Sequence, residues 1–138
     1  MFVSFEKLLG TAIFGNLYPP DWRTAQAANV ERVCLADDVD PFVVVTGEGV
    51  VAGFVALLQH DDPRTGVVDM IAVHPHLQRR GYARALMQFA LRRFHEQGIG
   101  LVNVGTGGDP GHAPARALYE AVGFTGLPLV NYYMAVKR

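Results

Sequence analysis

The fold is decided by the stretch VVDMIAVHPHLQRRGYARALM, residues 67–87. Its first seven residues are mostly β-branched or apolar, which predicts a strand over Val67–Val73. Pro75 cannot donate to a strand ladder, so the strand ends before it. Apolar residues then recur at helical spacing, which predicts a helix from about Gly81 to Gln97. A strand therefore leads through a short loop into a long amphipathic helix.

The loop before this predicted helix is suited to binding a phosphate or a pyrophosphate. The first backbone N–H groups of a helix have no partner within it, and the helix dipole places partial positive charge at the same end. Gly81 and Ala83 keep side-chain bulk small there, and Arg79, Arg80 and Arg84 add positive charge. The sequence therefore predicts an anion site at the start of this helix.

The segments on both sides of this stretch predict further helices and strands. Upstream, we expect a helix capped by Ser4 and ended by Pro19-Pro20, a second helix and a β-hairpin. Downstream, we expect a short strand, a glycine-rich loop, a helix and a last strand. The predicted ranges are Asp21–Leu35, Phe42–Thr46, Val50–Leu58, a loop at His60–Gly66, Leu101–Val104, a helix over 114–122 and a last strand over Phe124–Val136. This order predicts an α/β (α+β) fold with helices covering a sheet.

The composition predicts one compact domain over residues 1–138. Half of the chain is hydrophobic, and 12 basic and 13 acidic residues give a formal charge of −1. This balance disfavours nonspecific nucleic-acid binding, and the longest apolar run, Gly49–Leu58, is too short to span a membrane. Cys34 is the only cysteine, and the N-terminus lacks the basic start of a signal peptide. We therefore expect a cytoplasmic protein with no nucleic-acid or membrane partner.

Three other kinds of site are disfavoured by the residues present. Ser4 is the only serine and lies outside any nucleophile-elbow setting, which argues against a serine hydrolase. The loop Gly105–Pro110 has proline where a dinucleotide fingerprint needs its third glycine. His74 and His76 have no further ligands at a suitable spacing, so we expect no metal site.

The stretch around the predicted loop resembles a motif of the GNAT N-acetyltransferase superfamily. That motif binds the pyrophosphate of coenzyme A and reads Gln/Arg-x-x-Gly-x-Gly/Ala, after a strand ending in Val-x-Pro. Here the strand ends in Val73-His74-Pro75, and the loop is Gln78-Arg79-Arg80-Gly81-Tyr82-Ala83. The six-residue loop alone would be a weak signal.

A second segment resembles a later motif of the same family, Asn-x-x-Ala-x-x-Leu-Tyr-x-x-x-Gly-Phe. Residues 112–124 read HAPARALYEAVGF, with His112 in place of the asparagine. Two independent motifs in the right order extend the resemblance over about residues 42–136. It implies the GNAT-like acyl-CoA N-acyltransferase fold, with a mixed, mostly antiparallel sheet in which the strands at 67–73 and 101–104 run parallel and splay apart.

The resemblance implies that the cofactor is acetyl-CoA and that it lies along the end of the strand at 67–73. The pantetheine arm would pair with the backbone of Ile71 and Val73, where an open strand edge offers unpaired N–H and C=O groups. The pyrophosphate would lie on the amides of residues 79–84. The full set of expected cofactor-binding residues is Ile71, Ala72, Val73, Gln78, Arg79, Arg80, Gly81, Tyr82, Ala83, Arg84, His112 and Ala115.

The resemblance also implies direct attack of an amine on the thioester of acetyl-CoA. Tyr119 matches the tyrosine that often protonates the departing thiolate, and backbone amides near Val73 are the expected oxyanion donors. Tyr119 also lies on the apolar face of its predicted helix, so a purely structural role with a hydrogen-bonded hydroxyl is the alternative.

The general base is less well defined than the acid. Some family members carry a glutamate on the strand before the coenzyme loop, where this chain has Val67. Asp69 lies two residues further and is expected on the same side of the strand. A carboxylate buried in an apolar strand needs a partner or a function, so Asp69 is the candidate base. Pairing with an arginine, or a water chain in its place, stays open.

The N-terminal part departs from the family because no strand is predicted before the first helix. An exposed sheet edge would favour a homodimer. Trp22 and the turn at 17–20 are candidates for the wall of the acceptor pocket, and an aromatic side chain packed between helices is the alternative. The leading hypothesis is an N-acetyltransferase acting on a small-molecule amine. The alternatives are a non-catalytic acyl-CoA-binding or regulatory domain and an acetyltransferase of protein amines.

Overall fold

A computed structural model describes residues 2–58 and 64–137. The described chain divides into two compact units. The sheet unit is Glu31–Gly105, and the terminal unit combines the residues before Glu31 with those after Gly105. The predicted loop at His60–Gly66 lies largely outside the described residues, and its last two residues, Thr65 and Gly66, belong to a strand. That the chain is one domain over residues 1–138 stays a prediction.

The sheet unit contains a four-stranded mixed sheet with the strand order β1-β2-β3-β4. The strands are β1 (Val39–Val45), β2 (Val51–Leu58), β3 (Thr65–Val73) and β4 (Leu101–Val104). The first three strands are antiparallel neighbours, and β4 runs parallel to β3. The predicted mixed, mostly antiparallel sheet and the parallel pairing of β3 with β4 are confirmed.

The first strand begins earlier than the predicted Phe42. Val39 and Asp40 pair with Leu58 and Leu57 of β2, and Val39 is buried. Aspartates before Phe42 are unfavourable in a strand, but burial of Val39 and pairing with the full length of β2 extend the strand.

A β-bulge interrupts β3 at Asp69. Leu57 of β2 pairs with Val68, and Ala56 pairs with Met70, so Asp69 has no partner across the ladder. A bulge inserts one residue and shifts the alternation of the side chains that follow. The expectation that Asp69 faces the same side as Val67 assumed unbroken alternation, which the bulge removes.

Helices cover both faces of the sheet. Helix α4 (Tyr82–Glu96) lies on the face of Phe42, whose ring packs on Phe89 of that helix with centroids 4.8 Å apart. Ala56 belongs to the opposite face, where it packs in a cluster with Val33 and Val39. Val33 is near the end of α3 (Trp22–Cys34). Burial on both faces explains why β2 is almost continuously apolar.

The terminal unit contains α1 (Phe2–Leu9), α2 (Thr11–Leu17), the first part of α3, and α5 (Ala113–Ala121) after a 3₁₀ turn at Pro110–His112. The single helix predicted from Ser4 onwards is wrong, because Gly10 separates α1 from α2 with φ of +79°. The predicted cap is also wrong: Ser4 lies within α1, and its hydroxyl bonds to Asp109.

The strand predicted over Phe124–Val136 is absent from the described structure. Residues 125–137 have no regular secondary structure and make no backbone hydrogen bond within the described part of the chain. Their apolar side chains are exposed, with Leu129 at 82% and Tyr132 at 92%. β-branched and aromatic residues favour a strand only where a neighbouring strand supplies the ladder.

Among the described helices, none is long and apolar enough to cross a membrane.

Candidate functional site

The edge of β3 that faces away from β2 is open beside its last residues. The β3–β4 ladder ends at the pair of Val68 with Val104. The His74 N–H donates to the Ala52 carbonyl at 2.8 Å, so the alternation of a strand directs the backbone groups of Ile71 and Val73 to the opposite edge. Ile71 and Val73 lie beyond the last pair of the β3–β4 ladder, so no described strand pairs with them at this edge. This is the edge predicted to pair with the pantetheine arm.

The turn from β3 to α4 leaves consecutive backbone N–H groups unpaired. Within residues 64–137, the N–H groups of residues 79–84 donate to no described protein group, and the first helical bond runs from Ala85 N–H to the Gly81 carbonyl at 3.0 Å. Arg79 and Gly81 have φ of +61° and +86°. Left-handed residues in such a turn direct neighbouring N–H groups into one concavity, which binds anions. The predicted anion site therefore has open donors.

The side chains around this turn fit a doubly charged anion. Arg79, Arg80 and Arg84 are exposed, and they add positive charge to that of the helix N-terminus. A Cβ at Gly81 would meet no described atom within 4 Å, so the space above the turn is open. Gln78 has a different contact, because its Nε2 donates to the Val73 carbonyl at 3.2 Å and ties the loop back to the end of β3. The residues present therefore fit the pyrophosphate of coenzyme A.

The remaining candidates in the sheet unit are Ala72, Ala83, Tyr82 and Asp69. Ala72 is exposed on β3, and Ala83 is half-buried in the first turn of α4. Tyr82 and Arg80 line a cavity of about 400 Å³ that also includes residues of the β1–β2 turn. Asp69 is exposed at the bulge. The expectation of a buried carboxylate is therefore wrong, because the bulge leaves this side chain in solvent.

A second group of candidates lies on α5 in the terminal unit. Tyr119 is 8% exposed, and burial raises the pKa of its phenol. Its ring meets Phe124 edge-on, with centroids 6.0 Å apart. Its hydroxyl has no hydrogen-bond partner among the described residues, contrary to the structural alternative, which expected one. Ala115 is half-buried one turn earlier. Tyr119 therefore keeps its proton at neutral pH.

His112 belongs to a polar cluster that sequence reasoning missed. Asp109 and His112 are 6% and 7% exposed, and the His112 Nδ1 lies 2.5 Å from the Asp109 Oδ1. The other oxygen of Asp109 accepts a hydrogen bond of 2.6 Å from the Ser4 hydroxyl. The Gly111 N–H donates to the Ser4 Oγ at 3.1 Å. Neither Asp109 nor Ser4 was predicted as a site residue.

Glycines allow the loop to close around this cluster. A Cβ at Gly107 would collide with the Asp109 carboxylate and the His112 ring, and a Cβ at Gly111 would collide with Ser4. Arg116 holds the same loop, because its Nη1 donates to the carbonyls of Gly107 and Asp109 at 2.6 and 2.8 Å. The available signal was the spacing of Asp109 and His112 in a glycine-rich loop, but Ser4 lies 105 positions away from Asp109.

The cluster controls the ionisation of Asp109. Burial acts to raise the pKa of this carboxyl, but the hydrogen bonds from Ser4 and His112 and the charge of His112 act in the opposite direction. The net effect is a lowered pKa, so Asp109 is ionised at neutral pH.

The terminal unit also contains a cavity of about 230 Å³. Trp22, Tyr18 and the two prolines of the predicted turn line it, together with Glu6, whereas Leu17 does not. Burial, and to a smaller extent the charge of Tyr133, raise the pKa of Tyr18. The cavity therefore combines aromatic walls with one carboxylate.

His74 and His76 are exposed, with ring centroids 5.3 Å apart. In the described ranges, no group of three or more His, Cys, Asp or Glu residues is arranged to hold a metal ion.

Comparison with known proteins identifies relatives for most of the chain. The model of the acetyltransferase (GNAT) family matches residues 8–124, which include parts of both units. No curated protein sequence matches the chain.

Solved structures of acetyltransferases share the fold. The structure of AAC(6')-Iy with the bisubstrate analogue CoA-S-monomethyl-acetylneamine is 21% identical with a TM-score of 0.61, over 99% of this chain and 91% of that chain. The same aminoglycoside N-acetyltransferase in complex with CoA is 25% identical with a TM-score of 0.61, over 85% and 90%. The ribosomal-protein-S18-alanine N-acetyltransferase from Escherichia coli is 25% identical with a TM-score of 0.60, over 76% and 61%.

Replacing Asp109 with Asn tests the ionised cluster. Because folding lowers the pKa of Asp109, its carboxylate stabilises the fold above the pKa of the unfolded chain, and this contribution is lost as the pH falls through the lowered value. We expect the variant to be less stable by about 2 kcal/mol at neutral pH, with the difference shrinking below about pH 4. Urea unfolding across pH measures this difference. Asp37→Asn, at an exposed position, is the control, and a pH-independent difference for Asp109→Asn would contradict the prediction.

Proposed function

The chain belongs to the acetyltransferase (GNAT) family, and on that basis we propose that it transfers the acetyl group of acetyl-CoA to a primary amine of a small molecule. The observation that carries the proposal is the row of unpaired N–H groups at residues 79–84, which is flanked by three arginines. A preorganised cradle of backbone donors needs an anionic ligand, and the pyrophosphate of coenzyme A has the matching charge. The match of the family model to both units supports one catalytic domain.

Acetyl-CoA, when bound, supplies a thioester whose acetyl carbon bonds to the amine nitrogen while its bond to sulfur breaks. The chain must then provide a proton for the departing thiolate. We assign this proton to the Tyr119 hydroxyl, because burial raises the pKa of the phenol and the hydroxyl has no partner in the described part of the chain. A phenol with a raised pKa holds its proton at neutral pH, as an acid requires.

Backbone groups at the end of β3 have a positioning role in this proposal. The open edge at Ile71 and Val73 offers donors and acceptors to the amides of the pantetheine arm. The Val73 N–H is the proposed donor to the carbonyl oxygen of the thioester as negative charge develops there. Asp69 stays a predicted base. Its side chain is exposed, however, so burial no longer supports this role.

The cavity of the terminal unit supports a small acceptor. Its volume of about 230 Å³ is below the usual range for drug-sized ligands, so one amine-bearing ring or arm would fill it. Glu6 offers a carboxylate to an ammonium group, and Trp22 and Tyr18 offer aromatic faces. We propose that this cavity receives a part of the acceptor other than the amine that is acetylated. The aminoglycoside specificity of the relative at 25% identity is consistent with such an acceptor.

Two alternatives are kept because particular observations favour them. A coenzyme-binding domain without catalysis is consistent with Val67 at the glutamate position of the family motif. An acetyltransferase of protein amines is consistent with the similarity to the ribosomal-protein-S18-alanine enzyme.

The segment 125–137 supports a homodimer. Its backbone makes no hydrogen bond within the described chain, and its apolar side chains are exposed. We propose that two copies associate through this segment, because pairing would satisfy its backbone groups and cover its apolar surface. A single-chain mass by light scattering at assay concentration would contradict this proposal.

Replacing Gly81 with Glu tests the pyrophosphate site. The variant places a negative charge beside the open N–H groups and strains a residue with φ of +86°. We expect the affinity for CoA in calorimetry to fall by about 100-fold or more, because like charges brought together cost several kcal/mol. Gly98→Glu is the matched control, because Gly98 follows the same helix with φ of +77° and also faces open space. Equal affinities of the two variants would contradict the site.

Release of free thiol from acetyl-CoA tests the function itself. The acceptor panel contains neamine, simple alkylamines and a peptide with an N-terminal alanine. We expect release that depends on a small amine and an acetylated product by mass spectrometry. Release with the peptide alone favours the protein-amine alternative. Tight CoA binding without release on any acceptor favours the binding domain.

Replacing Tyr119 with Phe tests the proposed acid. The change removes only the hydroxyl, so affinity for CoA and the melting temperature should stay close to those of the wild type. We expect kcat to fall by about 100-fold or more, as is typical of losing a general acid. Unchanged kcat would give Tyr119 a structural role only.

A further inference from the structure

The order of groups in the Ser4–Asp109–His112 cluster differs from that of a hydrolase triad. In such a triad the imidazole lies between the serine and the carboxylate and takes the serine proton. Here the carboxylate lies in the middle, with Ser4 Oγ at 2.6 Å on one oxygen and His112 Nδ1 at 2.5 Å on the other. His112 therefore cannot activate Ser4. Both contacts act on Asp109, and Asp109 in turn orients His112.

The carboxylate determines which nitrogen of His112 is basic. An ionised Asp109 only accepts hydrogen bonds, so Nδ1 must carry a hydrogen, and the neutral ring keeps its lone pair on Nε2. Nε2 has no hydrogen-bond partner in the described part of the chain. Among the described residues, Arg93 Nε is the only polar side-chain atom of this kind that is both fully buried and without a hydrogen-bond partner. His112 Nε2 also has no partner, so it is not fully buried.

The position of the ring is well defined. His112 is 7% exposed, and its ring packs on Phe5 with centroids 5.0 Å apart. Loop closure through Gly107 and Gly111 and the two hydrogen bonds of Arg116 hold Asp109 and His112 from the other side. A group held this closely, with one free basic nitrogen, is arranged for proton transfer.

We propose that Nε2 of His112 is the general base that takes the proton from the acceptor amine, and that Asp109 and Ser4 are its positioning residues. The proposal rests on the proposed function. It gives His112 a catalytic role, whereas the sequence predicted only a cofactor contact for this residue. Asp69, the predicted base, is exposed and makes no contact that would fix its carboxylate within the described structure.

The proton balance of the reaction has a place for this base. The acceptor enters as an ammonium ion and gives one proton to Nε2, and the freed lone pair forms the bond to the acetyl carbon. The electron pair of the broken carbon–sulfur bond leaves with sulfur, which takes the Tyr119 proton. Tyr119 recovers a proton from the nitrogen as the amide forms. The imidazolium, stabilised by the Asp109 carboxylate, releases its proton to water.

Four charged side chains lie on the two helices next to His112. Those on α1 are Glu6 and Lys7, and those on α5 are Arg116 and Glu120. Glu6, Lys7 and Glu120 are exposed, and the Arg116 guanidinium donates to backbone carbonyls. Asp109 is already ionised at neutral pH because its pKa is lowered.

The tautomer of His112 can be measured without any acceptor. In the wild-type protein labelled with ¹⁵N-histidine, the signals of His112 are assigned by their loss in His112→Gln. We expect Nδ1 to carry the hydrogen and Nε2 to be bare in the neutral ring. A neutral ring with its hydrogen on Nε2 would overturn the proposal.

The pH dependence of kcat/KM tests the role in the reaction, with the best acceptor of the panel. We expect His112→Gln to lower kcat/KM by about 100-fold or more at neutral pH and to remove the acid limb of the profile. Asp109→Asn should move that limb, which a purely structural role would not do. Affinity for CoA should change little in both variants, whereas a cofactor contact through His112 would lower it. Circular dichroism confirms that each variant is folded.

Two control variants separate the outcomes. His95→Gln changes an exposed histidine on α4 and should leave the profile unchanged. Asp69→Asn tests the rival base, and loss of the acid limb in this variant with retention in His112→Gln would overturn the proposal. If the wild type is active and His112→Gln keeps the acid limb of the pH profile, this inference alone is overturned. A wild type that acetylates no amine overturns the proposed function and the base together.

Discussion

The backbone turn between β3 and α4 is the constraint on which the candidate site depends. A helix start cannot satisfy its first N–H groups internally, and in most proteins side-chain caps or water take them. Here no side chain caps α4, and Arg79 and Gly81 adopt left-handed conformations that open the turn further. Arg79 is the only described residue other than glycine with a positive φ, so the chain accepts local strain at the place where it offers its donors.

The two units contribute different chemistry. The sheet unit offers backbone groups and arginines, which suit a long anionic ligand with amides along its length. The terminal unit offers side chains that hold or accept protons: Tyr119 keeps its hydrogen because it is buried, and Asp109 keeps its charge because it is hydrogen-bonded. Two buried groups thus have opposite charge states. The phenol of Tyr119 has no described partner and stays neutral, whereas the carboxylate of Asp109 accepts hydrogen bonds from two donors and stays ionised.

Local patterns predicted the sheet unit well and the terminal unit less well. The strand, loop and helix around Gly81 follow from residues within one short stretch, so apolar periodicity and glycine placement were sufficient. Ser4 and Asp109 are 105 positions apart, and no local rule connects them. The bulge at Asp69 depends on the register of β2, and the strand expected after Phe124 needs a neighbour that the sequence does not specify. Gly10 shows that apolar spacing alone does not reveal a helix break. The helical spacing of apolar residues continues past Gly10, although the backbone ends the first helix there.

Trp22 is the only tryptophan in the chain, and it lies in the wall of the cavity proposed for the acceptor, with the Arg23 guanidinium 4.3 Å from its ring centre. Indole emission responds to the polarity and charge around the ring. The protein therefore contains an intrinsic optical reporter at that cavity, whose fluorescence carries no background from other indoles. Occupancy of the cavity can be followed by titration in the unlabelled protein, separately from any events at the coenzyme loop.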